Sequence, residues 1–107
     1  MAYAEILDAL SDPTRRAIVE ALRNTPLPVG TLAQQFPISR PAISQHLKVL
    51  SDAGLVAADP QGTRRVYRLQ PDGLATLREY LDTLWDDALA AYAREAQRQS
   101  TKGPFDA

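Results

Sequence analysis

The chain has 107 residues, of which 45% are hydrophobic and 23% charged, with a formal net charge of −1 and no cysteine. This length fits one domain whose core needs neither a disulfide nor a structural metal. The lack of cysteine excludes thiolate metal sites, disulfides and cysteine nucleophiles. No apolar run approaches the roughly 18 residues of a membrane span, and the N-terminus lacks the features of a secretory signal, so we expect a cytoplasmic protein.

The charges are unevenly distributed along the chain. Residues 1–12 carry three acidic side chains, whereas residues 13–68 hold eight Arg and Lys against three acidic residues. Residues 69–107 hold seven acidic side chains against four basic ones. A basic middle between acidic ends predicts an anionic partner for the middle of the chain, although chance clustering on solvated faces would give the same counts.

Two helices are predicted at the start of the chain. Apolar residues at helical spacing predict the first over residues 3–10. Ser11 or Asp12 as a cap, followed by Pro13, is a strong start signal for the second helix. The residues TPLP at 25–28 are expected to end this helix in a turn.

A short helix and then a longer one are predicted next. The run VGTLAQQF at 29–36 indicates the short helix, and a tight turn follows it. Ser39 is a credible cap for the next helix, with Pro41 in its first turn. That helix is expected from Arg40 to Ala53, and Gly54 is a typical residue after a helix end.

The longer helix has two chemically different faces. Its apolar stripe, Ile43, Leu47 and Leu50, is expected to pack on the core. The opposite face is polar and basic and consists of Arg40, Ser44, Gln45 and Lys48.

The remainder of the chain predicts a hairpin and a long helix. Residues 55–69 indicate two short strands around a Pro-Gln-Gly turn, with Val66 on one face of the second strand and Arg65 and Tyr67 on the other. A helix is predicted over 71–99, with apolar residues at alternating spacings of three and four, and residues 100–107 are expected to form a flexible tail.

Two helices joined by a tight turn, followed by an arginine-bearing hairpin, is the element order of a winged helix-turn-helix. In such proteins a helix enters the major groove of DNA, where Arg, Gln and Ser side chains meet base edges and phosphates. A hairpin that carries Arg64, Arg65 and Arg68 can lie along the neighbouring backbone or minor groove.

Three runs, ALSDPTRRAIVEAL, SRPAISQHLKVLSDAGLV and RRVYRL, resemble the ArsR/SmtB family of dimeric winged-helix repressors over about residues 5–95. The resemblance implies a mainly α fold with a small β-hairpin, in one DNA-binding domain over residues 1–99. It implies a recognition helix at 39–53, a wing at 55–69 and a dimerisation helix at 71–99. The dimer would form through the first and last helices.

Functional residues follow from the resemblance by position. It places the recognition-helix residues Ser39, Arg40, Ser44, Gln45, His46 and Lys48, and the wing residues Arg64, Arg65 and Tyr67, on or near the DNA face. It assigns to the dimer interface Leu7, Leu10, Leu77, Leu81, Leu84, Trp85, Ala88 and Tyr92. The aromatic residues Tyr80, Trp85 and Tyr92 could alternatively line an inducer pocket.

The chain departs from the metal-sensing members of that family. Those sensors use a cysteine-rich site before the recognition helix, or His with Asp or Glu on the last helix. Here the first region reads PVGTLAQQF and the last helix offers only carboxylates, so we expect no metal and no cofactor. The chain resembles a branch that does not sense metals, and a small-molecule inducer stays open.

Several side chains have more than one interpretation. His46, the only histidine, could contact phosphate or base, pack at the junction of helix and wing, or act as a pH switch. Tyr67 could stack on DNA or pack under the wing. Arg15 and Arg16 fit surface charges somewhat better than phosphate contacts.

The favoured function is a homodimeric repressor of a pseudo-palindromic double-stranded DNA operator, which blocks promoter access and could regulate its own gene. An alternative is a winged-helix protein-interaction module that does not read DNA; it predicts few basic residues where this chain carries five. An enzyme would need a phosphate loop or a paired acid and base, which the sequence lacks, so no catalytic residue is predicted.

Overall fold

A computed structural model of the chain describes residues 2–101. Within this range the elements follow one another as five helices and three strands: α1 (Ala2–Ser11), α2 (Pro13–Ala21), β1 (Leu27–Pro28), α3 (Val29–Gln34), α4 (Arg40–Asp52), β2 (Val56–Gln61), β3 (Arg64–Leu69) and α5 (Pro71–Thr101). The mainly α fold class with a small β element is confirmed. The predicted tail was wrong at residues 100 and 101, which continue the helical hydrogen bonding of α5, and its residues 102–107 lie outside the described residues.

Local sequence signals set the starts of α2 and α4. The Asp12 side chain accepts a hydrogen bond from the Arg15 backbone N–H at 3.0 Å. The Ser39 hydroxyl accepts one from the Ala42 N–H at 3.2 Å. Each cap is followed by a proline in the first turn, which needs no donor there. Both predicted caps are present, and of Ser11 and Asp12 the structure selects Asp12.

One apolar core lies under α1, α2, α3, α4 and the sheet. The predicted stripe of α4, formed by Ile43, Leu47 and Leu50, is completely buried. It packs in the same cluster as side chains from the other elements, among them Ile6, Ile18, Leu32, Leu55 and Val56. Full burial of each such side chain contributes about 1.5–3 kcal/mol, so this stripe anchors α4 firmly.

The sheet has three antiparallel strands in the order β1-β3-β2. The prediction of a bare turn at 25–28 was wrong for Leu27 and Pro28, because these two residues pair with Tyr67 and Val66 of β3. Pro28 is tolerated here since β1 is an edge strand, where a missing N–H costs little.

The hairpin turn also differs from the prediction. Pro60 and Gln61 continue β2 and pair with Arg65 and Arg64, so the Pro-Gln-Gly turn was wrong. The loop consists of the next two residues, and it begins at Gly62 with a φ of 63°. Two-residue hairpin loops need such a left-handed backbone, which glycine adopts at no steric cost.

The third helix is shorter than expected. The run VGTLAQQF was predicted to be helical as far as Phe36, but α3 ends at Gln34. Phe36 instead lies in the turn before α4 and packs, partly buried, against the core.

The chain divides after Leu77 into two compact units. The first contains the helix-turn-helix, the sheet and the first turns of α5. The second begins at Arg78, and in it the described residues all belong to the remainder of α5. None of the helices in residues 2–101 combines the length and the apolar character that a membrane crossing requires.

Candidate DNA interface

The exposed face of α4 is the first part of the site. Because Ile43, Leu47 and Leu50 are buried, the helical period turns the residues between them outward. The structure leaves the side chains on that face exposed, namely Arg40, Ser44, Gln45 and Lys48, with the cap Ser39 beside them. These side chains offer hydrogen-bond donors and acceptors on one rigid helix.

The wing supplies the second part. Arg64 and Arg65 open β3 and are exposed at the end of the hairpin. Tyr67 is partly buried against the core, and the guanidinium of Arg65 lies 5.8 Å from the centroid of its ring. This cation–π contact holds the Arg65 side chain over the sheet. The structure therefore places Tyr67 under the wing, where it supports Arg65.

A groove joins the two parts. It lies between the start of α3, the start of α4 and the wing, and the charged side chains that line it are Arg40, Arg64 and Arg65. The Arg40 guanidinium lies beside Gly30 of α3. No carboxylate lines the groove among the residues that the structure describes. Three guanidinium groups in a groove whose lining holds no carboxylate form a concave surface that attracts an anion. We name this surface the arginine groove.

Other basic residues between positions 13 and 68 differ from these three arginines, because several of them are already paired with a carboxylate. The Lys48 ammonium lies 3.0 Å from the Asp52 carboxylate one turn along α4. Arg68 donates to the Asp59 carboxylate at 2.8 Å and to the Gln70 side-chain oxygen at 2.9 Å. The positive middle predicted from the sequence thus contains both available and neutralised charges.

Arg15 has a structural role at the end of α1. Its Nε donates to the Ala9 carbonyl oxygen at 2.6 Å, and its Nη2 to that of Asp8 at 3.3 Å. The last carbonyls of a helix have no partner within the helix, so this side chain satisfies them. Arg15 is therefore held within the fold, while Arg16 is exposed on α2.

His46 faces α2. Its Nδ1 lies 4.0 Å from the Asp12 carboxylate, and its side chain retains 24% of its accessible surface. Of the alternatives for His46, packing at the junction of helix and wing differs from this placement, in which the neighbouring carboxylate belongs to the cap of α2. The backbone hydrogen bond from Arg15 holds the pKa of Asp12 below its ordinary value, and the nearby charge of His46 acts in the same direction.

The predicted dimer residues fall into two groups. Leu10 and Leu77 are partly buried against the core of the first unit. The others are exposed in the single chain, with Leu7 on α1 and Leu81, Leu84, Trp85, Ala88 and Tyr92 on α5. Trp85 and Tyr92 retain 63% and 76% of their surface, which is unusual for aromatic side chains. Leu74 and Leu89 belong to the predicted apolar stripe of this helix but not to the predicted dimer interface, and they are exposed as well.

Sequence reasoning did not identify the residues of α3 that line the arginine groove. Thr31 and Gln34 lie there with polar side chains. Nothing in their own sequence marks them, because their relevance comes from their position next to Arg40. Among the described residues, no group of three or more His, Cys, Asp and Glu side chains is arranged to hold a metal ion.

Comparison with known proteins fits this geometry. A family model described as a helix-turn-helix domain matches residues 10–57, which contain α2, α3 and α4. The HTH-type transcriptional regulator Rv2034 of Mycobacterium tuberculosis is 62% identical over 86 residues, or 80% of either chain. The arsenical resistance operon repressor of Staphylococcus xylosus is 34% identical over 87 residues, which cover 78% of this chain and 84% of the repressor. The chain belongs to the ArsR/SmtB family.

Solved structures related to this ArsR/SmtB chain agree on the architecture. One is the solution structure of a homodimeric winged helix-turn-helix DNA-binding domain from Mycobacterium bovis, described as a possible ArsR-family transcriptional regulator. It is 27% identical, superposes with a TM-score of 0.66 and covers 82% of each chain. The predicted family and winged helix-turn-helix fold are confirmed. In this ArsR/SmtB chain the wing arginines Arg64 and Arg65 lie outside the residues that the helix-turn-helix model matches.

Proposed function

We propose that this ArsR/SmtB chain is a homodimeric, sequence-specific DNA-binding repressor. The arginine groove is the observation that carries the proposal. In the part of the chain that the structure describes, Arg40 and Arg64 have no acidic partner, and Arg65 rests on an aromatic ring that leaves its charge intact. Folding gains nothing from concentrating three such charges, whereas a phosphate backbone neutralises them and releases counterions.

The two parts of the interface would read DNA differently. Arg40, Ser44 and Gln45 are exposed on one face of a helix, as a reading helix in the major groove requires. Arg64 and Arg65 at the end of the wing would follow the adjacent backbone or minor groove. The role assigned to Lys48 is smaller, since Asp52 neutralises part of its charge.

Two copies would bind together. The apolar stripe of α5 is exposed in the single chain, and a second copy would cover it. The homodimeric state of the related M. bovis domain supports this arrangement. Two recognition helices related by a two-fold axis would meet half-sites roughly 34 Å apart, so the operator would be a pseudo-palindrome. Repression would result from covering promoter DNA in the cytoplasm, without any catalytic step.

A mobility-shift assay tests the proposal. The probe is the DNA upstream of the chain's own gene, with a shuffled duplex of the same length as control, at two salt concentrations. We expect a saturable shift of the upstream probe that weakens steeply with salt. Binding that is equal for both duplexes, or no binding, would contradict sequence-specific repression. A second series of small organic compounds added to the complex would test for an inducer.

A further inference from the structure

Two glycine backbones meet where the segment after α4 contacts the first turn of α5. The Gly73 N–H donates to the Gly54 carbonyl oxygen at 2.9 Å. Next to it the Gln70 N–H donates to the Leu55 carbonyl oxygen at 2.9 Å. Gly54 itself has a φ of 77°, the left-handed backbone that commonly follows a helix end. The two hydrogen bonds join the end of the recognition helix to the start of α5 within the first unit.

Position 73 has no space for a side chain. A Cβ atom there would overlap the Gly54 carbonyl oxygen, and it would lie 2.7 Å from the carbonyl carbon of Gly54 and 3.0 Å from the Ala53 oxygen. All three atoms belong to the backbone, so rotation of a side chain cannot relieve the overlap. Position 54 is different, because a Cβ there would be 3.6 Å from the Gly73 nitrogen, an ordinary contact.

Helix stability does not explain a glycine at position 73. In a helix interior, glycine is less favourable than alanine by about 0.5–1 kcal/mol. The residue nevertheless lies in the first turn of α5, and it is buried. Its benefit must come from the close approach that it allows. That approach is to the end of α4, since Ala53 caps this helix and the Leu55 N–H donates back to the Leu50 carbonyl oxygen.

We propose that Gly73 is a positioning residue for DNA reading, because its bare backbone seats the start of α5 directly on Gly54 and so fixes the recognition helix against that turn. The inference rests on the proposed function as a dimeric DNA-binding protein. In a dimer held through α5, each copy of α4 is linked to its partner through this junction. The junction would therefore set the spacing at which the two recognition helices meet DNA.

The test compares Gly73→Ala with Ala75→Ser, which also adds one heavy atom but at an exposed position of the same turn. Both variants are checked by circular dichroism and sedimentation. Binding is then measured on the operator, on a non-specific duplex, and on operators with half-sites one or two base pairs closer or farther apart. We expect Gly73→Ala to lose about tenfold on the operator, comparable to one mismatched base pair, and to prefer a changed spacing. Non-specific binding should be unchanged, because phosphate contacts determine it.

A folded Gly73→Ala dimer with the wild-type affinity and spacing preference would overturn the proposal. An equal loss on every duplex would also overturn it, since that result indicates general destabilisation. If Gly73→Ala does not fold, a distance measurement decides. The chain has no cysteine, so spin labels can be placed by Ser51→Cys and Ala75→Cys with Gly73 retained.

In dimers formed from one labelled chain and one unlabelled chain, the proposal then expects one narrow distance between the two labels, equal in the free and operator-bound protein. A broad or shifted distribution would contradict it. Failure of the proposed function looks different, because the wild-type protein itself would then show no sequence-dependent binding.

Discussion

Replacing two leucines of α5 should weaken the dimer without damaging the fold. Leu81 and Leu84 retain 50% and 48% of their surface in the single chain. Complete burial of a leucine side chain contributes about 1.5–3 kcal/mol, so covering the exposed half gives about 1 kcal/mol. A symmetric dimer covers four such side chains, and Leu81→Ala with Leu84→Ala should therefore cost about 4 kcal/mol. Since about 1.4 kcal/mol corresponds to a tenfold change, the dimer Kd should rise roughly a thousandfold.

Sedimentation equilibrium over a wide concentration range measures this Kd. Alanine is at least as good a helix former as leucine, so helix content should not fall. The matched control is Asp86→Ala with Arg94→Ala, which truncates two exposed side chains on the opposite face of α5 and leaves the net charge unchanged. If the leucine variant dimerises with the wild-type Kd, the stripe is not the interface. If the control weakens the dimer equally, the face has been wrongly assigned.

Three further predictions concern single side chains. The pKa of Asp12 lies below its ordinary value, so its ionised carboxylate stabilises the fold fully above about pH 4, and this stabilisation is lost as the pH falls through the folded-state pKa. In urea unfolding between pH 2 and 7, the free energy of unfolding of Asp12→Asn should therefore decrease less at acidic pH than that of the wild type. An equal decrease in both proteins would refute this. His46→Asn should leave operator affinity and its salt dependence unchanged, because the imidazole faces Asp12; a reduced salt slope would instead indicate a phosphate contact. Arg68→Met should lower the free energy of unfolding by about 0.2–1 kcal/mol, because it loses the exposed ion pair with Asp59. The salt dependence of operator binding should be unchanged in this variant, and a weaker salt dependence would place Arg68 on the DNA.

Features encoded by neighbouring residues could be predicted from the sequence. The caps Asp12 and Ser39 act on amides three residues away, so each signal lies within one short stretch. The buried stripe of α4 follows from the helical period alone. For the same reason the exposed polar face of α4 was predicted residue by residue.

Features that depend on distant partners could not be predicted in this way. Leu27 is in a strand only because Tyr67 lies opposite, 40 positions along the chain. The residues Pro60 and Gln61 resemble a turn locally, but the register with β3 makes them part of a strand.

Which arginines are paired with a carboxylate, and which are not, also depends on residues that are distant in the sequence. Arg68 is engaged because the hairpin brings it to Asp59, and Arg40 is available because α3 presents Gly30 to it rather than an acid. Charge counting along the sequence cannot distinguish these two cases.

The salt dependence of operator binding tests the role of the arginine groove most directly. Three guanidinium groups per chain give six in a dimer, so log K should fall against log salt with a slope of about −5 from these contacts. Arg64→Gln removes two of the six and should make the slope shallower by about 1.8. The control Arg23→Gln changes an exposed arginine outside the groove, paired with Glu20, and should keep the wild-type slope. A wild-type slope for Arg64→Gln, or an equal change in both variants, would contradict DNA binding through this groove.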